Sequence, residues 1–306
     1  MPGIVLRQHD NRIAKLVCLL TFTFGSSLAS NALATVVRFN TVSGSVDVRL
    51  YNAATPLSVA NFLNYVTSGR YANTFIHRDV QGFVLQGGGY TYTPPSSVAH
   101  IAEFAPVNNE FGISNLRGTI AMAKLGSDPN SATSEWFFNL ADNSSNLDNQ
   151  NGGFTVFGRV VGTGMTVVDA IAGLNVYDLD GASASTFDDV PIRDGATDLS
   201  SGLVFINSVQ VLNYPAGDYD FNGVVNAKDY VVWRDSLGST TNAAADGNGD
   251  GIVNAADYSI WRSSFGQTGG PGSGAGSLFE TSVPEPTSAL LVFTGSLSLI
   301  VRRRRA

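Results

Sequence analysis

The sequence predicts a mainly β protein: a closed antiparallel barrel capped by two helices, followed by a duplicated acidic loop. Three observations carry this. Short runs rich in valine and aromatic residues recur between positions 35 and 213, with only two helical stretches among them. A twelve-residue pattern of aspartate, asparagine and glycine occurs twice, at an offset of 28 residues. Glycine is abundant, at 33 of 306 residues, and charged residues are only 14% of the chain, which suits an exported β-rich protein better than a helical one.

The elements follow in order. Thr35–Asn40 and Ser43–Tyr51 read as a strand pair, the second alternating as a half-buried strand does. Thr55-Pro56 opens a helix, with Thr55 suited to the N-cap and Pro56 to the first turn. Leu57, Ala60 and Leu63 with Phe62 and Val66 form its apolar stripe, and Gly69 suits its end. Further strands are expected at Gly118–Ala123, Glu135–Leu140, Thr155–Val161 and Leu203–Leu212, and a second helix at Met165–Leu174.

The stretch from Tyr71 to Tyr90, YANTFIHRDVQGFVLQGGGY, stands out. Phe83-Val84-Leu85 reads as a short buried strand between Gly82 and Gly87. If strands flank Gln81-Gly82, then Arg78, the apolar floor and Gln86 line one cleft. His77, His100 and the hydroxyl residues sit in no nucleophile motif, which argues against a hydrolase.

This stretch resembles the F-H-R, five residues, Q-G-G signature of the cyclophilins, with Ile76 at the first position and Phe75 before it. The likeness continues through Thr55-Pro56 with Asn61-Phe62, Gly118–Ala123, Ser131–Ser134 leading into Trp136–Asn139, Asn146-Leu147-Asp148 and Phe154–Gly158. It implies a cyclophilin-like domain over residues 35–214, acting as a peptidyl-prolyl cis-trans isomerase on proline-containing polypeptides, with no cofactor for catalysis. It implies Arg78 as the catalytic arginine and Phe83, Val84, Phe137 and Leu147 as the proline pocket. Gln86 would hold the substrate backbone, Ala123 and Lys124 would border the groove, and Phe154 would complete the substrate-binding set. His77 reads as structural. Four positions depart from the family pattern: Lys124 for Asn, Glu135 for Gln, Asn146 for Trp and Phe154 for His. Glu135 is expected to add a negative charge beside the groove. The alternative reading is a non-catalytic proline-peptide binding module displayed at the cell surface.

The acidic repeat comprises Asp218, Asp220, Asn222, Gly223, Asn226 and Asp229, then Asp246, Asn248, Asp250, Gly251, Asn254 and Asp257. Oxygen side chains at loop positions 1, 3, 5, 9 and 12 around a glycine at 6 are what Ca²⁺ needs, with the carbonyls of Val224 and Ile252 at position 7. The pair resembles dockerin type I, which implies a small α-helical module over 217–268, calcium as its ligand and a cohesin-like or surface partner. Read as an independent module, it is expected to unfold without calcium while the barrel melts unchanged. Residues 269–283 read as a Gly/Ser-rich linker.

Both ends read as addresses. Residues 1–34 have the parts of a signal peptide: Arg7, Arg12 and Lys15, the apolar Leu16–Phe24, and the small residues of Ala32-Leu33-Ala34. The single cysteine, Cys18, falls inside it, so thiol and disulfide chemistry are not expected in the mature chain. At 284–306, Pro284-Glu285-Pro286 precedes an apolar run, Ala289–Val301, and four arginines. Those 13 residues would cover about 20 Å, a marginal membrane span. The order of box, apolar run and arginines resembles the PEP-CTERM sorting signal, which implies processing by an exosortase-type enzyme and a transient membrane anchor. Export to the cell envelope, surface or medium follows. The net charge of −7, with seven of the 18 Lys and Arg residues in the two end segments, argues against nucleic acid as a partner.

Overall fold

The computed structural model describes residues 34–181 and 186–269. Residues 1–33 of the expected signal peptide and the Pro-Glu-Pro segment lie outside them. Among the described residues no helix is long and apolar enough to cross a membrane.

The protein is mainly β, as expected. Its strands are β1 (Val36–Thr41), β2 (Gly44–Leu50), β3 (Thr74–Phe75), β4 (Arg78–Val80), β5 (Val84–Gly87), β6 (Tyr90–Thr93), β7 (Ser97–His100), β8 (Thr119–Met122), β9 (Trp136–Asn139), β10 (Val156–Val161), β11 (Asn175–Tyr177), β12 (Val190–Ile192) and β13 (Phe205–Leu212). Eleven of them form one sheet in the order β4-β5-β9-β8-β10-β2-β1-β13-β3-β6-β7, and β11 pairs with β12. The continuous stretch Thr74–Val80 pairs with β13 through β3 and with β5 through β4. The expected strands appear with ends shifted by a residue or two. The short β3, β6, β7, β11 and β12 carried no periodic signal strong enough to be expected.

Of the helices, α1 (Pro56–Thr67), α2 (Ser144–Leu147), α3 (Gly164–Ala172) and α4 (Leu199–Gly202) accompany the sheet. Helix α1 ends as expected. Gly69 has φ +72, and the Gly69 and Arg70 amides donate to the carbonyls of Val66 and Tyr65. Its start differs. Thr55 makes no side-chain cap, and the Glu110 carboxylate accepts instead from the Leu57 and Ser58 amides at 3.1 and 2.8 Å. A remote carboxylate thereby satisfies orphan N–H groups and complements the helix dipole. The packed face agrees in part: Phe62 and Val66 are buried and Leu63 packs on the core as expected, whereas Leu57 and Ala60 are exposed. Val59, Phe62, Tyr65 and Val66 are buried, while Leu57 is 49% exposed. The i, i+3, i+7 set Val59–Phe62–Val66 outcompetes the smaller Leu57–Ala60 ridge because it brings an aromatic ring to the main core.

Strand register separates core from site. In successive antiparallel pairs, Asp79, Leu85, Phe138 and Ile120 stand opposite one another across β4, β5, β9 and β8. Leu85, Phe138 and Ile120 belong to the main core with Phe39, Phe62 and Trp136. The neighbouring row is Arg78, Gln86, Phe137 and Ala121. It points to the opposite face, because side chains alternate along a strand and directly paired residues share a face.

The acidic repeat forms α5 (Ala227–Ser236) and α6 (Ala255–Ser264), joined through a short 3₁₀ turn at Ala243–Ala245. Its centre is aromatic. Tyr230, Trp233, Tyr258 and Trp261 stack with ring centroids 4.9–6.2 Å apart. Each indole reaches the other half: Trp233 Nε1 donates to the Asn254 carbonyl at 2.8 Å and Trp261 Nε1 to the Asn226 carbonyl at 2.9 Å. The repeat does not stand apart from the sheet. Ala53 and Ala54 donate backbone hydrogen bonds to the Gly249 carbonyl, and Ala34 donates to that of Gly247.

Candidate active site and calcium loops

The Arg78 row opens into a cleft of about 310 Å³. Every residue expected at the substrate site lines it: Arg78, Phe83, Val84, Gln86, Ala123, Lys124, Phe137, Leu147 and Phe154, joined by Asn146 and Gln150. Its floor is a small apolar cluster of Val84, Phe137, Leu147, Ala121, Val156 and Tyr51, separate from the main core. Phe154 meets Phe137 edge to face at 5.7 Å between centroids. An apolar floor of this size fits a five-membered ring, and the cation stands at its edge.

A chain of hydrogen bonds fixes that cation. Arg78 Nη1 donates to Gln86 Oε1 at 3.3 Å, and Gln86 Nε2 donates to Glu135 Oε2 at 2.7 Å. Glu135 accepts only, so it forces the Gln86 amide to present its oxygen to Arg78. His100 Nε2 contacts Glu135 Oε1 at 3.3 Å, and the buried His77 Nε2 lies 3.4 Å from Oε2 without making a hydrogen bond to it. Burial alone would raise the Glu135 carboxyl, but its contacts with His77, Gln86 and His100 outweigh burial and hold it below its usual value. The charge expected beside the groove is therefore engaged within a network. His77 is fully buried and its ring packs on Tyr90 at 4.9 Å, which agrees with a structural role. Glycines let the chain pass this network. A Cβ on Gly88 (φ +86) would stand 2.6 Å from Trp136 Nε1, and one on Gly89 the same distance from Glu135 Oε1.

Lys124 lines the cleft but turns its ammonium away from it. Nζ donates to the carbonyls of Gly153 and Asn151 at 2.7 and 2.9 Å, and lies 4.7 Å from the Phe154 ring centroid. It pins the loop that carries Phe154 to the rim. Burial lowers its pKa, with Asp128 opposing. Gln150 is the lining residue that sequence reasoning missed, since a lone glutamine in a polar loop carries no periodic or motif signal.

The two acidic loops repeat one geometry. Asp218 Oδ2 accepts from Gly223 N at 2.8 Å, and Asp246 Oδ2 from Gly251 N at 2.9 Å. Asp229 Oδ1 accepts from Tyr219 N at 2.7 Å, and Asp257 Oδ1 from Gly247 N at 2.8 Å. Gly223 and Gly251 take φ +87 and +89 at the sharp turn. Carboxylate oxygens of Asp218, Asp220 and Asp229 lie within 4.8 Å of one another. Burial pushes the carboxyls of Asp218 and Asp246 up to about 6, so a cation in either loop would relieve a real electrostatic cost. The all-oxygen donor set fits Ca²⁺, with Asp218, Asp220, Asn222, the Val224 carbonyl and Asp229 in the first loop. Asp246, Asn248, Asp250, the Ile252 carbonyl and Asp257 match them in the second. Asn226 and Asn254 depart from the expectation that they are ligands. Their side-chain oxygens cap α5 and α6, accepting from Lys228 N and Ala256 N, and their amide groups donate to the Val224 and Ile252 carbonyls. A position at a helix N-cap faces orphan N–H groups, and these claim the oxygen.

A proline-sized apolar cleft edged by a fixed guanidinium, on an antiparallel sheet with flanking helices, defines a class of peptidyl-prolyl isomerase. The family model for cyclophilin type peptidyl-prolyl cis-trans isomerases matches residues 36–195, and the chain belongs to that family. The dockerin type I model matches residues 216–263. The chain is 41% identical to a peptidyl-prolyl cis-trans isomerase of Acinetobacter baylyi over 152 residues, covering 48% of this chain and 78% of that protein. It is 41% identical to peptidyl-prolyl cis-trans isomerase A of Dickeya dadantii over 164 residues, covering 52% and 83%. A cyclophilin-type isomerase structure from Cryptosporidium parvum aligns at 20% identity with a TM-score of 0.43, over 58% of this chain and 97% of that one. This protein is thus a cyclophilin-type peptidyl-prolyl cis-trans isomerase with a dockerin type I domain.

Proposed function

We propose that Arg78 catalyses X-Pro isomerisation by holding the prolyl nitrogen while the cleft holds the ring. Twisting an amide crosses a barrier of about 18–20 kcal/mol because resonance is lost at the perpendicular geometry. The nitrogen lone pair becomes a hydrogen-bond acceptor only then, so a guanidinium at the cleft edge favours the twisted state over both planar ones. Val84, Phe137, Leu147 and Phe83 grip the ring, with Phe154 across from Phe137. Gln86 has its oxygen engaged by Arg78 and orients that cation, while Ala123 borders the groove for the residues before proline. The observation that carries this reading is the Arg78–Gln86–Glu135 chain at the mouth of the apolar cleft. Arg78→Ala should cut the rate in a protease-coupled X-Pro assay by about 10²–10³-fold. Its melting temperature should stay close to that of the wild type, because Arg78 is only half-buried. Equal rates in the two proteins would remove Arg78 from the mechanism.

The remaining readings rest on sequence and family. The stretch Thr74–Val80, paired with β13 at one end and β5 at the other, supports reading the sheet as a closed barrel. The dockerin type I match and the oxygen-lined loops support Ca²⁺ in the repeat, with a cohesin-like or surface partner. Residues 1–34 and 284–306 support export, display at the cell envelope or surface, and exosortase-type processing of a transient anchor. The clients are then proline-containing exported polypeptides. Mass spectrometry of the mature chain from its native host tests both termini, and an intact Pro284-Glu285-Pro286 tail would remove the processing step.

A further inference from the structure

The two halves of the repeat differ in what surrounds them. In the second loop, the Gly249 carbonyl accepts from Ala53 N at 3.2 Å and Ala54 N at 3.1 Å. The Asp246 carbonyl accepts from Arg49 Nη1 at 3.1 Å. These carbonyls interleave with the side chains at loop positions 1, 3 and 5, so the conformation that presents the ligands also presents the carbonyls. Gly249 has φ +69, and a Cβ there would stand 2.7 Å from Asn52 N and 2.9 Å from Leu50 O. The equivalent position in the first loop holds Phe221, also at positive φ, whose ring centroid lies 4.9 Å from the Arg49 guanidinium. Among the described residues the first loop makes no backbone hydrogen bond to the isomerase domain.

The residues that receive the second loop are those beneath the proline cleft. Tyr51 precedes the Asn52–Ala54 turn and belongs to the same buried cluster as Val84, Phe137 and Leu147. Ala54 and Ile113 pack against the same cluster. Ile113 also faces the second loop, across a cavity of about 350 Å³ shared with Leu116, Asp250 and Ile252. Arg49, on β2 one residue before Leu50, is only 4% exposed and sits between both loops.

We propose that the second calcium loop is a cofactor site of the isomerase domain itself. Ca²⁺ held there clamps the Tyr51–Ala54 turn through the Gly249 carbonyl and so stiffens the floor of the proline cleft. The first loop is left to serve the repeat and any external partner. The inference rests on the calcium reading of the loops, and it replaces the expectation that the barrel is indifferent to calcium.

The test uses the full chain with Ca²⁺ alone. Calorimetric titration counts the sites, and hydrogen exchange of the Ala53 and Ala54 amides reads the clamp. At free Ca²⁺ about 100 times Kd, opening coupled to release is suppressed about 100-fold, so exchange at both amides should slow by that factor. Asp220→Asn in the first loop should keep that protection, and Asp250→Asn in the second should weaken it. Calcium bound at both loops with unchanged exchange at Ala53 and Ala54 overturns the proposal alone. No calcium bound at either loop overturns the calcium reading and the proposal with it. The wild-type comparison needs no variant to fold.

Discussion

The isomerase cleft and the calcium repeat are built on opposite plans. The cleft draws Arg78, Gln86, Phe137 and Ala121 from four strands and gathers them by register alone. Each calcium loop draws its oxygens from twelve consecutive residues, and backbone amides hold the first and last aspartates locally. The difference teaches where damage should spread. The cleft shares its strands with the main core on their other face, so a change at its buried floor is felt as stability, while one at half-buried Arg78 is not. The loops are self-contained along the chain, yet the two halves lean on each other through Trp233 and Trp261.

The largest test of this contrast is Phe137→Ala. Phe137 is 4% exposed and is both pocket floor and sheet packing. Its loss should cost about 3–5 kcal/mol in denaturant unfolding and abolish most isomerase activity. A loss of activity with unchanged stability would separate the cleft from the packing of the sheet and break the comparison.

The other face of β4, the strand that carries Arg78, offers a second test. Asp79 is buried one residue from Arg78, and burial, with Asp189 adding to it, pushes its carboxyl up to about 7. A raised acid pKa means that the folded state holds the proton more tightly than the unfolded chain. Its contribution is full below about pH 4 and is lost as pH rises toward 7. Asp79→Asn keeps a neutral group there, so it should recover stability on the order of 2 kcal/mol at pH 8 relative to wild type. Thermal melts at pH 5 and pH 8 check this, and a variant with the wild-type pH slope would count against it.

The smallest effect sharpens the repeat. Trp233→Phe keeps the aromatic packing but removes the donor to the Asn254 carbonyl. It should lower the stability of the repeat by about 1 kcal/mol and weaken calcium binding in the opposite loop by a few-fold. Calcium titration of the full chain checks it. An unchanged second-loop affinity would mean that the halves are independent.

Motifs were the legible part of both regions. The spacing from Arg78 to Gln86 brought the two together because a tight turn at Gln81-Gly82 places them directly opposite in adjacent strands. The acidic loops were legible because their ligands are local. The sequence did not show that Glu135 would orient Gln86, since that contact depends on β5 lying beside β9. Nor did it show that Lys124 would turn to the 151–153 carbonyls, or that Asn226 and Asn254 would cap helices. Long polar side chains choose among partners only after the backbone is placed. The packed face of α1 is legible only in part, with Phe62 and Val66 inward and Leu57 outward, for a related reason. A periodic stripe names a helix, but the surface it meets decides which ridge is buried.

The sequence by itself determined the family, the catalytic candidate, the apolar pocket residues and the two acidic loops, because each is written as a residue type at a spacing that local chemistry requires. Only the tertiary structure decided that Arg78 and Asp79, neighbours in the chain, face a cleft and a core respectively. It also decided that the second calcium loop lies against the Tyr51–Ala54 turn under the proline cleft. Both follow from packing between segments far apart in sequence: β4 with β5 and β9, and Gly249 with Ala53 and Ala54. No local pattern encodes such contacts, because they exist only once the chain has closed on itself.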